Sequence, residues 1–288
     1  MPQVVRTGPA TSLEPAALAA LLGEVYSDYP VPMHLDEGVL TFMWEALDLD
    51  LDASRVAWLG ERPAGAALLG VRGERAWVGG MGVVPGERRA GLGARLMREL
   101  IEAARSRGVR TLLLEVLEAN APARALYVKL GFRELRRLEV WSWPGPPRGE
   151  ARTVRAEAPA AARRRIAAAR REPEPWQRSD ETVDRLDVST PALRAVSLPG
   201  ADAVYRVGAG RASVLQLHAP SAADAGALLD TIRSRDGVGS LRFLNLPAGS
   251  PASLALRERG AACEVTQVEM ALALAPAAPG ARAKRARA

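Results

Sequence analysis

Cysteine is nearly absent: Cys263 is the only one in 288 residues. A lone thiol excludes an intramolecular disulfide framework and a cysteine-built metal site, and no metal is expected. The residue is expected to be a small buried side chain with no part in chemistry. No uncharged apolar run reaches the ~18 residues of a membrane-crossing helix, so no membrane partner is expected. The N-terminus lacks a basic stretch followed by a cleavage site, so no signal peptide is expected and the cytoplasm is the default compartment. Lysine is scarce too. Lys129 and Lys284 are the only two; arginine supplies the rest of the 39 basic residues, which exceed the 33 acidic ones by a net charge of +6. That excess is modest, part of it sits in the terminal ARAKRARA, and no base-reading motif accompanies it, so nucleic acid is not an expected partner. Two nucleotide-binding signatures are missing as well. There is no G-x-x-x-x-G-K-[ST], and a G-x-G-x-x-G built on Gly91 and Gly93 fails because Leu96 stands at its third glycine.

What is present is ordinary globular composition, 48% hydrophobic and 25% charged, over a length that suits two domains. The segment PGPPRGEA at Pro144–Ala151 cannot sustain a ladder and reads as a connection. The expected division is 1–145 and 151–276, with 277–288 a disordered basic tail. In the first part, apolar alternation predicts strands near Val4–Arg6, Val56–Leu59, Gly65–Val71, Trp77–Val84, Thr111–Leu117 and Leu135–Trp143. Helices are predicted near Pro15–Gly23, Gly38–Ala46, Leu92–Arg107 and Pro122–Leu130. This order argues for a mixed α/β sheet.

Chemistry is concentrated in VVPGERRAGLGA, Val83–Ala94. A strand ends, Pro85 stops the ladder, and a helix begins near Leu92. The unpaired N–H groups and positive end of that helix, opened by Gly91 and Gly93 and flanked by Arg88 and Arg89, make a cradle for a pyrophosphate. Gly79, Gly80 and Gly82 in the preceding strand would let a ligand lie against its backbone. A Gly-containing turn before an ordinary amphipathic helix is the plainer alternative.

The second segment is LLLEVLEANAPARALYVKLGF, Leu112–Phe132. Asn120 can cap a helix that carries Pro122 in its first turn, or present its amide to a ligand. Tyr127 follows two turns later on a similar face, and Gly131 suits the C-terminal cap.

Together these segments resemble the GNAT superfamily of acyl-CoA-dependent N-acyltransferases. The first motif is V-x-P-x-x-R-x-x-G-x-G, here Val83, Pro85, Arg88, Gly91 and Gly93. The second is L-E-V-x-x-x-N-x-x-A-x-x-x-Y-x-x-x-G-F, here Leu114 through Phe132, and it is especially similar to that of ribosomal-protein N-terminal acetyltransferases. The resemblance implies a mixed, mostly antiparallel α/β (α+β) sheet whose central strands splay, flanked by helices. It implies acetyl-CoA as cosubstrate, with the main chain of Met81, Gly82 and Val83 facing the acetyl group and pantetheine. The amides of Arg88, Arg89, Ala90, Gly91, Leu92, Gly93 and Ala94 would hold the pyrophosphate, and Asn120 would contact the pantetheine arm. A small-molecule or peptide amine would attack the thioester directly. Tyr127 is implied as the acid for the leaving thiolate. Glu115 is the candidate base, through water, with Glu118 and His34 behind it; a merely strand-positioning Glu115 is the competing view. A free strand N–H near Val83 would receive the oxyanion. Acidic and aromatic residues of Tyr26–Gly38, among them Asp28, Tyr29, Met33, His34, Asp36 and Glu37, would receive a cationic amine. The other reading is a non-catalytic acyl-CoA-binding or sensing module.

The second half reads as a worn copy. GSPASLALRERGA at Gly249–Ala261 matches NAPARALYVKLGF at Asn120–Phe132 in its proline, alanine and glycine, but Asn120 becomes Gly249 and Tyr127 becomes Leu256. With Pro220 in the place of Pro85, Arg88 becomes Ala223 and Gly93 becomes Leu228. A degenerate, smaller GNAT-like α/β domain follows, as in tandem GNAT proteins. Its expected role is structural, shaping the acceptor pocket or a homodimer interface.

Overall fold

A computed structural model describes residues 5–30, 35–149, 157–189 and 193–275. The 277–288 tail and the candidates Met33 and His34 lie outside them. The chain forms two compact units, one comprising residues up to Leu135 together with those from Glu269 on, the other Arg136–Val268.

The first unit runs β1 (Val5–Pro9), α1 (Pro15–Val25), α2 (Glu37–Leu47), β2 (Arg55–Leu59), β3 (Arg62–Arg72), β4 (Arg75–Val83), α3 (Leu92–Ser106), β5 (Thr111–Leu117) and α4 (Ala121–Lys129). Strands β1 to β4 pair antiparallel in sequence order, and β5 joins β4 in parallel. The apolar run of β3 is buried almost throughout because helices cover the sheet. On α3, Leu96, Met97 and Leu100 are fully buried and Ile101 nearly so, while the opposite face carries Arg and Glu. Helix α4 closes as the sequence implies. Phe132 N–H donates to Tyr127 O and Gly131, at φ +95°, supplies the left-handed residue.

One departure from regularity positions the site. The β3–β4 register slips between Leu68 and Leu69, leaving Gly79 as the extra residue of β4. A side chain there would meet Leu49 and Trp77 at 2.8 Å, so only glycine fits. Immediately before this bulge the β4–β5 ladder ends. It holds Arg75 to Thr111, Ala76 to Leu112 and Trp77 to Leu113. Bulges bend and twist a strand, and beyond Trp77 the two strands part, with Val83 at the mouth of the resulting wedge.

The second unit contains the rest of β6 (Arg133–Trp143), then α5 (Pro159–Ala169), α6 (Asp180–Ser189), β7 (Arg194–Leu198), β8 (Ala201–Gly208), β9 (Arg211–His218), α7 (Ala222–Asp236), β10 (Ser240–Pro247), α8 (Pro251–Glu258) and the start of β11 (Ala262–Ala273). Neighbours run β6-β10-β9-β8-β7, antiparallel except for the parallel β9–β10 pair. Strand β6 gives Arg136–Trp143 to this unit and β11 gives Glu269–Ala273 to the first. The Pro-rich connection at 144–149 therefore lies inside the second unit, whereas the sequence reading placed the division there. Proline interrupts a ladder, but the strand before it remains with the sheet that buries Trp141 and Trp143.

The strands β9 and β10 also part, beyond the pair Phe243–Val214. Here the opening is filled by the chain itself. Past that point Gln216 of β9 donates to Arg178 O at 2.9 Å and to Asp180 at 2.8 Å, and Asn245 of β10 donates to Gln177 at 3.0 Å. Trp176 and Arg178 of this inserted turn are buried. Nothing in the sequence pattern above anticipates this turn, or β7, β8 and α6.

Candidate active site

The loop from β4 to α3 has the shape its sequence implies. Arg88 is extended, Arg89 turns to φ +68° and Gly91 to φ +83°, and α3 begins at Leu92. No side chain caps this helix, so the amides of Leu92, Gly93 and Ala94 keep their donors for a ligand. Arg89, Ala90 and Gly91 are exposed. At Gly91 nothing among the described residues stands within 4 Å of a would-be Cβ, so its requirement is the backbone angle. Gly93 faces inward, and a Cβ there would touch Leu126, Val83 and Met81 at 3.8–4.0 Å. The equivalent helix of the second unit, α7, is closed: Ser221 accepts from the Asp224 N–H.

Arg88 does not aim its charge at the cradle. Its Nε donates to Val83 O at 3.0 Å, and its terminal nitrogens donate to both oxygens of Asp28 and to Val25 O. The Arg88 guanidinium thereby holds the Asp28 carboxyl below its ordinary range. A second acceptor-side carboxylate, Asp36, caps α2 by accepting from Val39 N–H at 2.7 Å. Two acids expected to receive a cationic amine are thus committed to structure. Glu37 lies exposed in the first turn of α2.

Tyr127 is 6% exposed and packs on Phe132, with ring centroids 5.8 Å apart. Burial pushes its hydroxyl well above the ordinary tyrosine value, and the neighbouring Tyr26 and Tyr29 add to the rise. Glu115 Oε2 accepts from the Trp77 indole N–H at 2.7 Å, across the point where β4 and β5 separate. Asn120 caps α4 by accepting from Ala123 N–H at 3.2 Å, which leaves its amide N–H groups as the donors a ligand could use. Glu118 offers its carbonyl to Arg124.

The glycines of β4 do not all serve a ligand. A side chain at Gly82 would overlap Val25, and one at Gly80 would stand 3.0 Å from the Tyr26 hydroxyl. They admit the end of α1 rather than keep backbone bare. Tyr26 is the residue that sequence reading passed over; two glycines spaced i, i+2 on one strand face were the signal that something bulky must sit there. Cys263 departs from expectation as well. It is exposed, near the start of β11, with its thiol 3.6 Å from Val265 O.

Residues 19–132 match the model of the acetyltransferase (GNAT) family. The chain is 34% identical over 119 residues to a [ribosomal protein bS18]-alanine N-acetyltransferase of Salmonella typhimurium, a match that spans 38% of this chain and 76% of that protein. The corresponding protein of Escherichia coli K12 is 33% identical over the same length and shares. Among solved structures, a GCN5-related N-acetyltransferase from Sphaerobacter thermophilus aligns with TM-score 0.69 at 17% identity, covering 93% of this chain and 95% of that one. A tandem GNAT protein from the clavulanic acid biosynthesis pathway aligns with TM-score 0.62 at 16% identity, covering 95% of this chain and all of the other. No helix among the described residues is long and apolar enough to cross a membrane.

Proposed function

The chain belongs to the acetyltransferase (GNAT) family, and we propose that it transfers an acetyl group from acetyl-CoA to a primary amine by direct attack in a ternary complex. The observation that carries this is the uncapped start of α3 beside the point where the β4–β5 ladder ends, with the buried Tyr127 hydroxyl near enough to Tyr26 and Tyr29 to be raised by them. Curated relatives are N-acetyltransferases, which favours the enzyme over a non-catalytic binding module.

In the mechanism, the amides of Arg88–Ala94 bind the diphosphate and the main chain of Met81, Gly82 and Val83 aligns the thioester. A β4 N–H receives the negative charge that develops on the carbonyl oxygen. The C–N bond forms as the carbonyl π bond opens onto oxygen, and the C–S bond breaks when that π bond re-forms. Glu115, oriented by Trp77, takes the amine proton through water, and Tyr127 gives its proton to the departing sulfur. A raised Tyr127 keeps that proton across the physiological range, the form a donor requires. Asn120 offers its amide to the pantetheine arm.

For the acceptor we favour a protein or peptide N-terminus. The relatives are named for a ribosomal-protein alanine, and two of the acids that would have gathered a polycation, Asp28 and Asp36, are committed elsewhere. The second unit is read as a degenerate GNAT-like domain with a structural role. Acyl transfer from labelled acetyl-CoA into a metabolite and peptide library that includes Ala-initiated peptides, read by mass spectrometry, tests this. Label confined to small amines overturns the acceptor class, and label nowhere overturns the reading.

A further inference from the structure

We infer that Tyr26 is the end wall of the acyl site and restricts the enzyme to the shortest acyl group, an inference that rests on the cofactor reading above. The argument is one of order along β4. The β4–β5 ladder ends at Trp77, and Val83 is the last residue of β4, beside the cradle. A thioester entering from the cradle therefore advances past Val83, Gly82 and Met81 toward Gly80. That is where the Tyr26 hydroxyl stands, 3.0 Å from the position a Gly80 Cβ would take. The Met81 main chain lies near enough to the same hydroxyl to act on it, which sets it beside the adjacent residue as well. An acyl chain longer than acetyl would need the space the Tyr26 ring occupies.

A wall selects only if it cannot retreat, and Tyr26 is braced on several sides. Its ring meets Tyr29 edge-on, with centroids 5.3 Å apart and planes at 76°. The preceding residue, Val25, fills the space left open by Gly82. One guanidinium, that of Arg88, holds both Val25 O, one residue before Tyr26, and the Asp28 carboxylate, two residues after it. The Tyr26 amide closes the last turn of α1 by donating to Leu22 O at 3.0 Å.

The test is calorimetric titration of the full chain with CoA, acetyl-CoA, butyryl-CoA and hexanoyl-CoA, which needs no acceptor. The wild type is expected to bind acetyl-CoA at least about tenfold more tightly than butyryl-CoA, the scale on which a filled pocket discriminates added methylenes. Tyr26→Ala is expected to bring the two within about threefold while still binding CoA, because the diphosphate amides of 88–94 do not include Tyr26. Tyr26→Phe, which keeps the ring, is expected to retain the wild-type ratio. Should Tyr26→Ala fail to fold, Tyr26→Leu makes the same comparison. Equal wild-type affinity for acetyl- and butyryl-CoA overturns the inference, as does an unchanged ratio in the truncated variant that still binds CoA. Failure of the wild type to bind CoA at all overturns the cofactor reading itself.

Discussion

The guanidinium of Arg88 grips both carboxylate oxygens of Asp28, at 2.7 and 2.8 Å, and so ties the cradle loop to the end of α1. Arginine here makes a fork that lysine cannot reproduce. Arg88→Lys is expected to weaken CoA binding more than Asp28→Asn, which keeps an acceptor oxygen and should cost about two- to fivefold, as exposed pairs do. Calorimetry with CoA on both variants checks the order.

The same pair gives a pH dependence. The Asp28 pKa is depressed in the folded chain by the Arg88 hydrogen bonds, so its stabilising contribution is complete above the unfolded carboxylate value of about 3.9. It is lost as pH falls through the lower folded value. The Tm difference between wild type and Asp28→Asn should therefore be present at neutral pH and vanish only below the ordinary carboxylate range.

Gly91→Ala places an L-residue at φ +83° without any clash. The left-handed conformation costs such a residue about 1–2 kcal/mol. The loop should relax, and CoA affinity should fall by roughly tenfold. Unchanged affinity would remove the cradle from this loop.

Tyr127→Phe should lower kcat by about 10²-fold or more while leaving the KM for acetyl-CoA near its wild-type value. Because burial raises the Tyr127 hydroxyl above its ordinary value, ionisation of this residue should not produce a falling limb in the wild-type rate up to about pH 9.5.

Glu115→Gln retains an oxygen to accept from the Trp77 indole, so the tie between β4 and β5 should survive and Tm should stay near wild type. As the base, its loss should lower kcat by at least about 10²-fold. Full activity in this variant would leave Glu115 as a strand tie alone.

Much of the site was legible because its requirements are local. Pro85, Gly91 and Gly93 announce a strand that stops and a helix that starts uncapped, and Asn120, Pro122 and Gly131 bracket a short helix at both ends. The periodic apolar face of α3 needs no distant partner to be read. The clasp between Arg88 and Asp28 was not legible, since nothing near either residue names the other. The glycines of β4 were misread for the same reason. A missing side chain shows that something comes close, but only the fold says it is Val25 and Tyr26. In the second half, Gly200 and short apolar runs hid β7 and β8, and the prolines before Trp176 hid a turn that lodges between two strands.

The exchange of strand segments has a consequence during synthesis. Five residues of the first unit, Glu269–Ala273, are encoded after the whole of the other unit. On the ribosome the N-terminal portion must wait, unfinished, until that last stretch emerges, and such long-range closure is slow. A stalled or nicked translation product ending anywhere in the second half would release a chain that carries every proposed site residue yet lacks the segment that β11 gives to the first unit.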